Sequence, residues 1–372
     1  MDTCDVVIVG GGPAGSTCAW KLRKAALDVV IVDKAMFPRD KVCAGWITPQ
    51  VLEDLQIDPN DYCKGRTFQP ITGFRVGVIG EDHIVEASYA HAVSFGIRRC
   101  EFDDYLLRRS RARLVLGRSI SAVRRESSQW IVNETVTAPM LVGAGGHFCP
   151  VARMLNGASD HAPLVAAQEA ELAIDPYACN VTAETPELYF SRDLAGYGWC
   201  FRKGDYINIG LGRLDHHGLP SAITEFVDFL KTRRRIPADA SPWRWRGHAY
   251  LLSGTSSRRV FDDAVILSGD AAGLAYPQSG EGIRPAIESG LMAASTIVKA
   301  NGCYTRDRLE PYARQLRQRF GEGSLAHLLS RIVPRGIPIA LALRLLEKSW
   351  FVRRVVLDRW FLHARDEAFA LA

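Results

Sequence analysis

Two glycine-rich segments, far apart in the chain, constrain the fold more than any other feature of the sequence. The first, 10–15, reads GGGPAG and lies between an apolar run at 6–9 and a helix-compatible stretch at 16–26. A strand, a tight turn and a helix in this order are typical of the phosphate-binding start of a dinucleotide-binding fold. The second, 269–273, reads GDAAG and follows another apolar run. We interpret both segments as parts of one nucleotide site.

Each glycine of the first motif has a specific predicted role. Gly10 permits the tight turn, Gly12 lets the backbone approach a pyrophosphate, and Gly15 lets the helix pack closely on the strand. The N-terminus of that helix points N–H groups at the anion. The next apolar run, 29–32, ends at Asp33, where a carboxylate is placed to accept hydrogen bonds from an adenosine ribose.

Length and composition are typical of a soluble enzyme of moderate size. The 372 residues suggest two domains and a tail. No early segment combines a charged start, an apolar run and a cleavage site, which predicts a cytoplasmic protein. The nine cysteines are scattered without a CxxC pair, so we expect reduced thiols and no metal site. The formal net charge of +5 is modest, and we expect no nucleic-acid partner.

The order of the apolar runs predicts an α/β fold with a discontinuous, Rossmann-like nucleotide-binding domain formed by 1–70, 98–157 and 258–300. Strand-like segments between these pieces predict an inserted, mainly antiparallel β-sheet, which would form a substrate domain from 71–97 and 158–257. Those strand-like segments are 73–79, 93–97, 188–191, 199–202 and 206–212.

With these motifs placed, the chain resembles the geranylgeranyl reductase family of FAD-dependent oxidoreductases, which has the para-hydroxybenzoate hydroxylase fold. The resemblance covers roughly residues 4–300 and rests on four segments: 10–15 with Asp33, FPRDKVCAG at 37–45, RCEFD at 99–103, and GDAAG with PQSGEGI at 269–283. It implies that FAD is the cofactor.

The resemblance also implies roles for single residues. Asp270 would bind the ribityl hydroxyls, Arg99 would lie along the cofactor, and 277–283 would direct backbone N–H groups at the pyrimidine edge of the isoalloxazine. The predicted FAD contacts are Gly10, Gly12, Pro13, Ala14, Gly15, Asp33, Lys34, Arg39, Cys43, Ala44, Arg99, Gly145, Gly269, Asp270, Pro277, Gly280, Gly282 and Ile283.

The predicted catalytic residues are Cys43, Tyr197, Trp199 and Phe201. Residues 197–201 resemble the family's YxWxFP segment, which lines the substrate cavity with aromatic side chains, although Arg202 replaces the proline. Core packing of alternate strand residues is the other interpretation of this segment. In the family, the cysteine at the position of Cys43 lies near the flavin, which implies a thiol that donates a proton or positions the substrate. The other interpretations are that Cys43 is a small buried apolar residue, or that Tyr197 is the donor.

The resemblance implies reduction of carbon–carbon double bonds in a prenyl or other lipophilic substrate by hydride transfer from flavin N5. The alternative is a flavin-dependent monooxygenase or halogenase acting on an aromatic or carrier-bound substrate. Halogenases carry a WxWxIP segment, from which 197–202 departs at three positions, and WRW at 243–245 lacks the following Ile-Pro. A third interpretation is a flavoprotein that binds FAD for structure or partner recognition.

The sequence does not specify which electron donor reduces the flavin. Gly145 occupies the position of an aspartate that touches FAD and the nicotinamide donor in many hydroxylases of this fold. No second strand-linked GxGxxG follows, so we expect either transient NAD(P)H or a separate electron-donor protein. His147 and Cys149 are interpreted as turn residues rather than metal ligands.

The C-terminal region, 301–372, is predicted to be helical, with interruptions at Pro334, Gly336 and Pro338. It contains 13 Lys and Arg against 7 Asp and Glu. Its apolar stretches lie among basic residues, which suits peripheral contact with a membrane surface or with a lipid-carrying substrate. The other interpretation is helices packed over the flavin domain or against a second subunit.

Overall fold

A computed structural model describes residues 1–157, 164–175, 179–214, 216–237, 244–255, 258–321, 339–364, 366 and 369. The described part of the chain contains four β-sheets with helices packed on them. The predicted α/β fold, with a Rossmann-like sheet and a separate, mainly antiparallel sheet, is confirmed. The domain limits stay predictions.

The nucleotide-binding sheet has six strands and is parallel except at one edge. Its central strands are continuous apolar runs because helices and loops cover both faces. Val6 pairs with Val29 on one side and with Met140 on the other. In order across the sheet, the strands are Phe261–Asp262, Val265–Leu267, Met140–Gly143, Val6–Val9, Val29–Asp33 and Arg113–Leu116.

Close helix packing brings the two glycine-rich segments together. Helix Pro13–Lys24 packs on helix Ile283–Ala300, and a methyl group on Gly290 would lie only 2.6 Å from the carbonyl oxygen of Ala14. A methyl group on Gly269 would lie 3.0 Å from Cβ of Ala14. The two ends of the predicted nucleotide site are therefore neighbours in space.

The second large sheet has seven strands and forms one side of the main cavity, so we call it the cavity sheet. Its strands, in order, are Arg246–Leu251, Leu164–Ala173, Tyr206–Arg213, Gly196–Lys203, Glu187–Phe190, Gly73–Val78 and Ile84–Ser88. All neighbours pair antiparallel except Glu187–Phe190 with Gly73–Val78. The strands Leu164–Ala173 and Arg246–Leu251 were not among the predicted segments.

One predicted strand belongs elsewhere. Residues 93–97 were assigned to the inserted sheet, but Ser94–Ile97 pairs with Trp46–Ile47 and Phe68–Ile71 in a separate three-stranded sheet. This strand also bonds to the segment that follows Cys43, since the Ile97 N–H donates to the carbonyl of Gly45. The fourth sheet contains Asp2–Thr3, Val136–Ala138, Gln129–Val132 and Val123–Glu126.

Most other helices surround the nucleotide-binding sheet or cover the cavity sheet. They are Pro49–Leu55, Pro59–Tyr62, Arg99–Arg109, Pro150–Asn156, Leu219–Thr232, Arg306–Phe320, Ile339–Leu346 and Ser349–Phe351, with a 3₁₀ turn at Gly269–Ala272.

The C-terminal region contributes a π-helix, Val352–Phe361, to the core next to the cavity sheet. Its buried residues Val356 and Phe361 belong to the same apolar cluster as Trp46 and Phe74. This supports packing of the region onto the protein. The interruptions at Pro334, Gly336 and Pro338 lie outside the described residues. Among the described helices, none has the length and apolar character needed to cross a membrane.

Candidate functional site

A cavity of about 680 Å³ lies between the carboxyl ends of the nucleotide-binding strands and the cavity sheet. This volume falls within the range of about 300–1,000 Å³ that is typical of cofactor and ligand pockets. All predicted site residues line the cavity except Gly15, Gly269, Pro277 and Phe201. Most of the predicted site residues therefore share one cavity, and their individual roles stay predictions.

The phosphate-binding end has the backbone geometry that a dinucleotide requires. Gly10 has φ +113°, a conformation that L side chains rarely adopt. Gly12 faces open space, since a methyl group there would meet only Arg39, at 3.5 Å. Asp33 accepts hydrogen bonds from the N–H groups of Gly11 at 2.7 Å and Ala35 at 2.8 Å. These bonds fix a carboxylate that retains acceptor capacity for a ribose.

Two arginines on the cavity wall share one buried carboxylate. Arg99 donates to both oxygens of Asp103, at 2.8 and 2.7 Å, and Arg39 lies 3.1 Å from the same side chain. Burial alone would lower the pKa of Arg99, but Asp103 raises it above the usual value. Both guanidinium groups are therefore held in place, and Arg99 faces the sulfur of Cys43.

Asp270, the predicted ribityl ligand, belongs to a charged group that the sequence only partly indicated. His248 Nε2 lies 3.4 Å from Asp270 Oδ2, and Lys41 Nζ lies 2.7 Å from the same His248 nitrogen. Burial would raise the pKa of Asp270, but the hydrogen bond from His248 and the charge of Lys41 hold it below its usual value. Burial lowers the pKa of Lys41 to about 8 and also lowers that of His248.

The turn predicted to face the flavin pyrimidine is fixed by two tyrosines. Tyr197 Oη donates to the carbonyl oxygen of Ser279. Gly280 has φ +67°, and a side chain there would collide with the hydroxyl of Tyr250. The Tyr197 hydroxyl is therefore already bonded to the turn, and burial raises its pKa.

Aromatic side chains form the wall beside Cys43. Trp46, Tyr197 and Trp199 line the cavity. Phe361 packs on Tyr197 and on Trp46, with ring centroids 5.2 and 5.9 Å apart. Phe201 does not reach the cavity; it is fully buried and lies 5.8 Å from Trp46. We assign Phe201 to core packing.

Many lining residues were not predicted, and three that matter for the site, His248, Tyr250 and Trp46, carry only weak sequence signals. His248 and Tyr250 alternate along strand Arg246–Leu251, and only the strand assignment would have paired them on one face. Trp46 directly follows the 37–45 segment. Part of the WRW segment, Trp243, lies outside the described residues.

The described residues offer no group of three or more His, Cys, Asp or Glu side chains that could hold a metal ion. Cys149 is buried, with burial raising its pKa. His147 lines the cavity.

Known proteins match this chain in sequence and in fold. The sequence profile of the FAD dependent oxidoreductase family matches residues 5–96. The open backbone at Gly12, the fixed Asp33 carboxylate and the half-buried Asp270 carboxylate fit that cofactor. The fold and the site define an FAD-dependent oxidoreductase.

The chain is 30% identical to the menaquinone reductase of Mycobacterium tuberculosis, over 91% of this chain and 86% of that protein. It is 25% identical to a digeranylgeranylglycerophospholipid reductase of Methanocaldococcus jannaschii, over 89% and 86%. A geranylgeranyl bacteriochlorophyll reductase-like structure from Thermoplasma acidophilum superposes with a TM-score of 0.78 at 20% identity, over 93% and 91%. The chain belongs to the geranylgeranyl reductase family. Flavin-dependent halogenases share its fold, which alone does not select a reaction.

Proposed function

We propose that this protein reduces carbon–carbon double bonds of a prenyl or comparable lipophilic substrate. The observation that carries the proposal is the position of Cys43. Its thiol belongs to the same cavity as the phosphate-binding turn, Asp270 and the aromatic wall. A reducible double bond needs a hydride on one carbon and a proton on the other, and Cys43 is a proton source beside an apolar surface.

When bound, FAD supplies the hydride. Gly12 and the N-terminus of helix Pro13–Lys24 would bind its pyrophosphate, and Asp270 would bind the ribityl chain. Trp46 and Trp199 would hold the substrate and exclude water. Cys43 would give its proton to the substrate, and the facing Arg99 guanidinium would stabilise the negative charge left on sulfur.

The names of the relatives support an isoprenoid substrate. Menaquinone, digeranylgeranylglycerophospholipid and geranylgeranyl diphosphate differ in their head groups but share a prenyl chain. The aromatic wall suits that shared part. We propose that NAD(P)H or a separate donor protein reduces the flavin, as expected from the sequence.

We also propose peripheral contact with anionic membranes through the C-terminal region. Ile339, Leu341 and Trp350 are about half exposed, at 50%, 48% and 59%, and Arg344 and Lys348 are exposed among them. An apolar surface flanked by cations suits an anionic lipid surface. Replacing the three apolar residues with serine should abolish sedimentation with anionic vesicles, whereas serine at Leu214 and Val298 should not. Equal sedimentation of both variants would refute the contact.

The reaction is tested by anaerobic titration. Chemically reduced, FAD-loaded protein is mixed with a panel of prenylated substrates while flavin absorbance and product mass are followed. Reoxidation with a gain of two hydrogens supports a reductase. Reoxidation only after oxygen is admitted supports the monooxygenase or halogenase alternative.

Cys43→Ser tests the proton donor. We expect single-turnover reduction to slow by about a hundredfold or more, which is the usual effect of losing a general acid. Cys63→Ser, at an exposed cysteine, is the matched control. An unchanged rate in Cys43→Ser would remove Cys43 from the mechanism without affecting the assignment of the reaction.

A further inference from the structure

A buried ionic cluster lies on the cavity sheet, next to Cys43. We define it as Glu169, Glu171, Lys203 and Asn208. Asn208 is fully buried, and Lys203 and Glu169 are only 1% and 6% exposed. Burying charges is costly, and apolar residues of similar size often give equal or greater stability. Stability alone therefore does not account for the buried charges, and the parts of the protein that they bond to indicate another role.

The cluster holds the segment that contains Cys43. Glu169 Oε2 accepts a hydrogen bond from the backbone N–H of Cys43 at 2.6 Å. Lys203 Nζ donates to the carbonyl oxygens of Ala44 at 3.1 Å and Ile97 at 3.0 Å. Lys203 also pairs with Glu171 at 2.6 Å. Cys43 and Ala44 are thus anchored by a carboxylate on one side and an ammonium on the other.

The same cluster holds Trp199. The indole Nε1 donates to Asn208 Oδ1 at 2.7 Å. Asn208 Nδ2 in turn lies 3.1 Å from Glu171 and 3.5 Å from Glu169. A continuous series of hydrogen bonds therefore joins an aromatic side chain of the cavity wall to the backbone of the thiol residue.

We propose that Glu169 is a positioning residue that fixes the Cys43 thiol in the cavity and, through Asn208, couples it to Trp199. The inference rests on the proposed function for the roles of Cys43 and Trp199. The hydrogen bonds themselves do not depend on the reaction. Contact of a substrate with the Trp199 ring would then be transmitted to the residue that supplies the proton.

The test measures thiol reactivity rather than turnover. FAD-loaded protein is treated with iodoacetamide, and alkylation of Cys43 and of the exposed Cys63 is followed by mass spectrometry of the peptides. In Glu169→Ala, we expect Cys43 to react about tenfold faster, which corresponds to about 1.4 kcal/mol, with Cys63 unchanged. Glu169→Gln should stay within about twofold of wild type, because the amide oxygen still accepts a hydrogen bond.

Gln168→Ala is the matched control, since adjacent strand residues point to opposite faces of the sheet. It should leave both alkylation rates unchanged. Unchanged Cys43 alkylation in a folded Glu169→Ala protein would overturn the proposal, and so would equal acceleration at Cys43 and Cys63.

Trp199→Phe tests the coupling and leaves the buried charges intact. It keeps an aromatic ring but removes the Nε1 donor, so the rate of Cys43 alkylation should differ from that of the wild-type protein. In a protein that already carries Asn208→Leu, adding Trp199→Phe should leave this rate unchanged. If Glu169→Ala does not fold, an unchanged Cys43 rate in Trp199→Phe overturns the proposal. Because alkylation requires no substrate, failure of the proposed reaction would leave these results unaffected.

Discussion

Alanine substitutions at two glycines of the 10–15 motif should have different effects: one should lower the stability of the protein, and the other should weaken the binding of its cofactor. In Gly15→Ala, the methyl would lie closer than 3.0 Å to the carbonyl oxygen of Gly10 and 3.1 Å from the γ2 methyl of Ile8. These contacts lie in the turn and in the strand that leads into it. In Gly12→Ala, the methyl would meet only Arg39 Nη2, at 3.5 Å, with φ at an ordinary −74°.

The expected magnitudes follow from these distances. Overpacking of this kind costs about 1–3 kcal/mol. An unfolding entropy of about 2.1 cal/mol/K per residue gives about 0.8 kcal/mol/K for this chain, so the Tm of Gly15→Ala should fall by about 1–4 °C. Gly12→Ala should keep the wild-type Tm. Its methyl faces the cavity where the pyrophosphate is expected, and a loss of about 2.8 kcal/mol would raise the Kd for FAD about a hundredfold.

The assay is differential scanning fluorimetry of the cofactor-free proteins, followed by titration with FAD. Two results would refute the reasoning: a Tm loss in Gly12→Ala equal to that in Gly15→Ala, or wild-type FAD affinity in Gly12→Ala. The first would mean that the turn has no open side, and the second that the cofactor does not approach the backbone there.

Three further predictions concern stability. Gly290→Ala should lower the Tm of the cofactor-free protein by a similar 1–4 °C or so, because its methyl would lie 2.6 Å from the Ala14 carbonyl oxygen; an unchanged Tm would contradict the close helix packing. Phe361→Ala should cost about 3–5 kcal/mol in urea unfolding, whereas the 59% exposed Trp350 should cost little when changed to alanine; equal losses would argue against docking of the π-helix. Burial raises the pKa of Glu169 from 4.5 to about 7, so its contribution to stability is present below pH 4.5 and is lost as the pH rises through 7. The Tm difference between Glu169→Gln and wild type should therefore increase in favour of the variant from pH 5 to pH 8, and a constant difference would contradict the shift.

The sequence predicted the cofactor end of the site better than the substrate end, for a physical reason. Phosphate binding depends on local backbone geometry, and Gly10, Gly12 and Asp33 encode it within one βαβ unit. His248 and Tyr250 reach the cavity only through the pairing of their strand at the edge of the cavity sheet. No local pattern specifies such pairing.

The buried cluster illustrates a second limit. Glu169 lies in a strand that was not predicted, and Lys203 directly follows the predicted segment 199–202, so neither was identified. Strand pairing and the Cys43 segment bury both. Phe201 shows the converse: alternation placed it on the same face as Trp199, but Trp46 packs against it and the cavity does not extend that far.

The order of strands in the nucleotide-binding sheet has a consequence for how the molecule assembles. During synthesis, Val6–Val9 can pair early with Val29–Asp33, but its other edge pairs with Met140–Gly143, which is made later. Met140–Gly143 in turn pairs with Val265–Leu267, which is made later still. Until about 70% of the chain has been synthesised, an apolar parallel edge stays open to pairing with other chains. Such distant parallel contacts form slowly. The isolated first βαβ unit, although it carries the phosphate-binding turn, should therefore aggregate rather than act as a portable flavin-binding module.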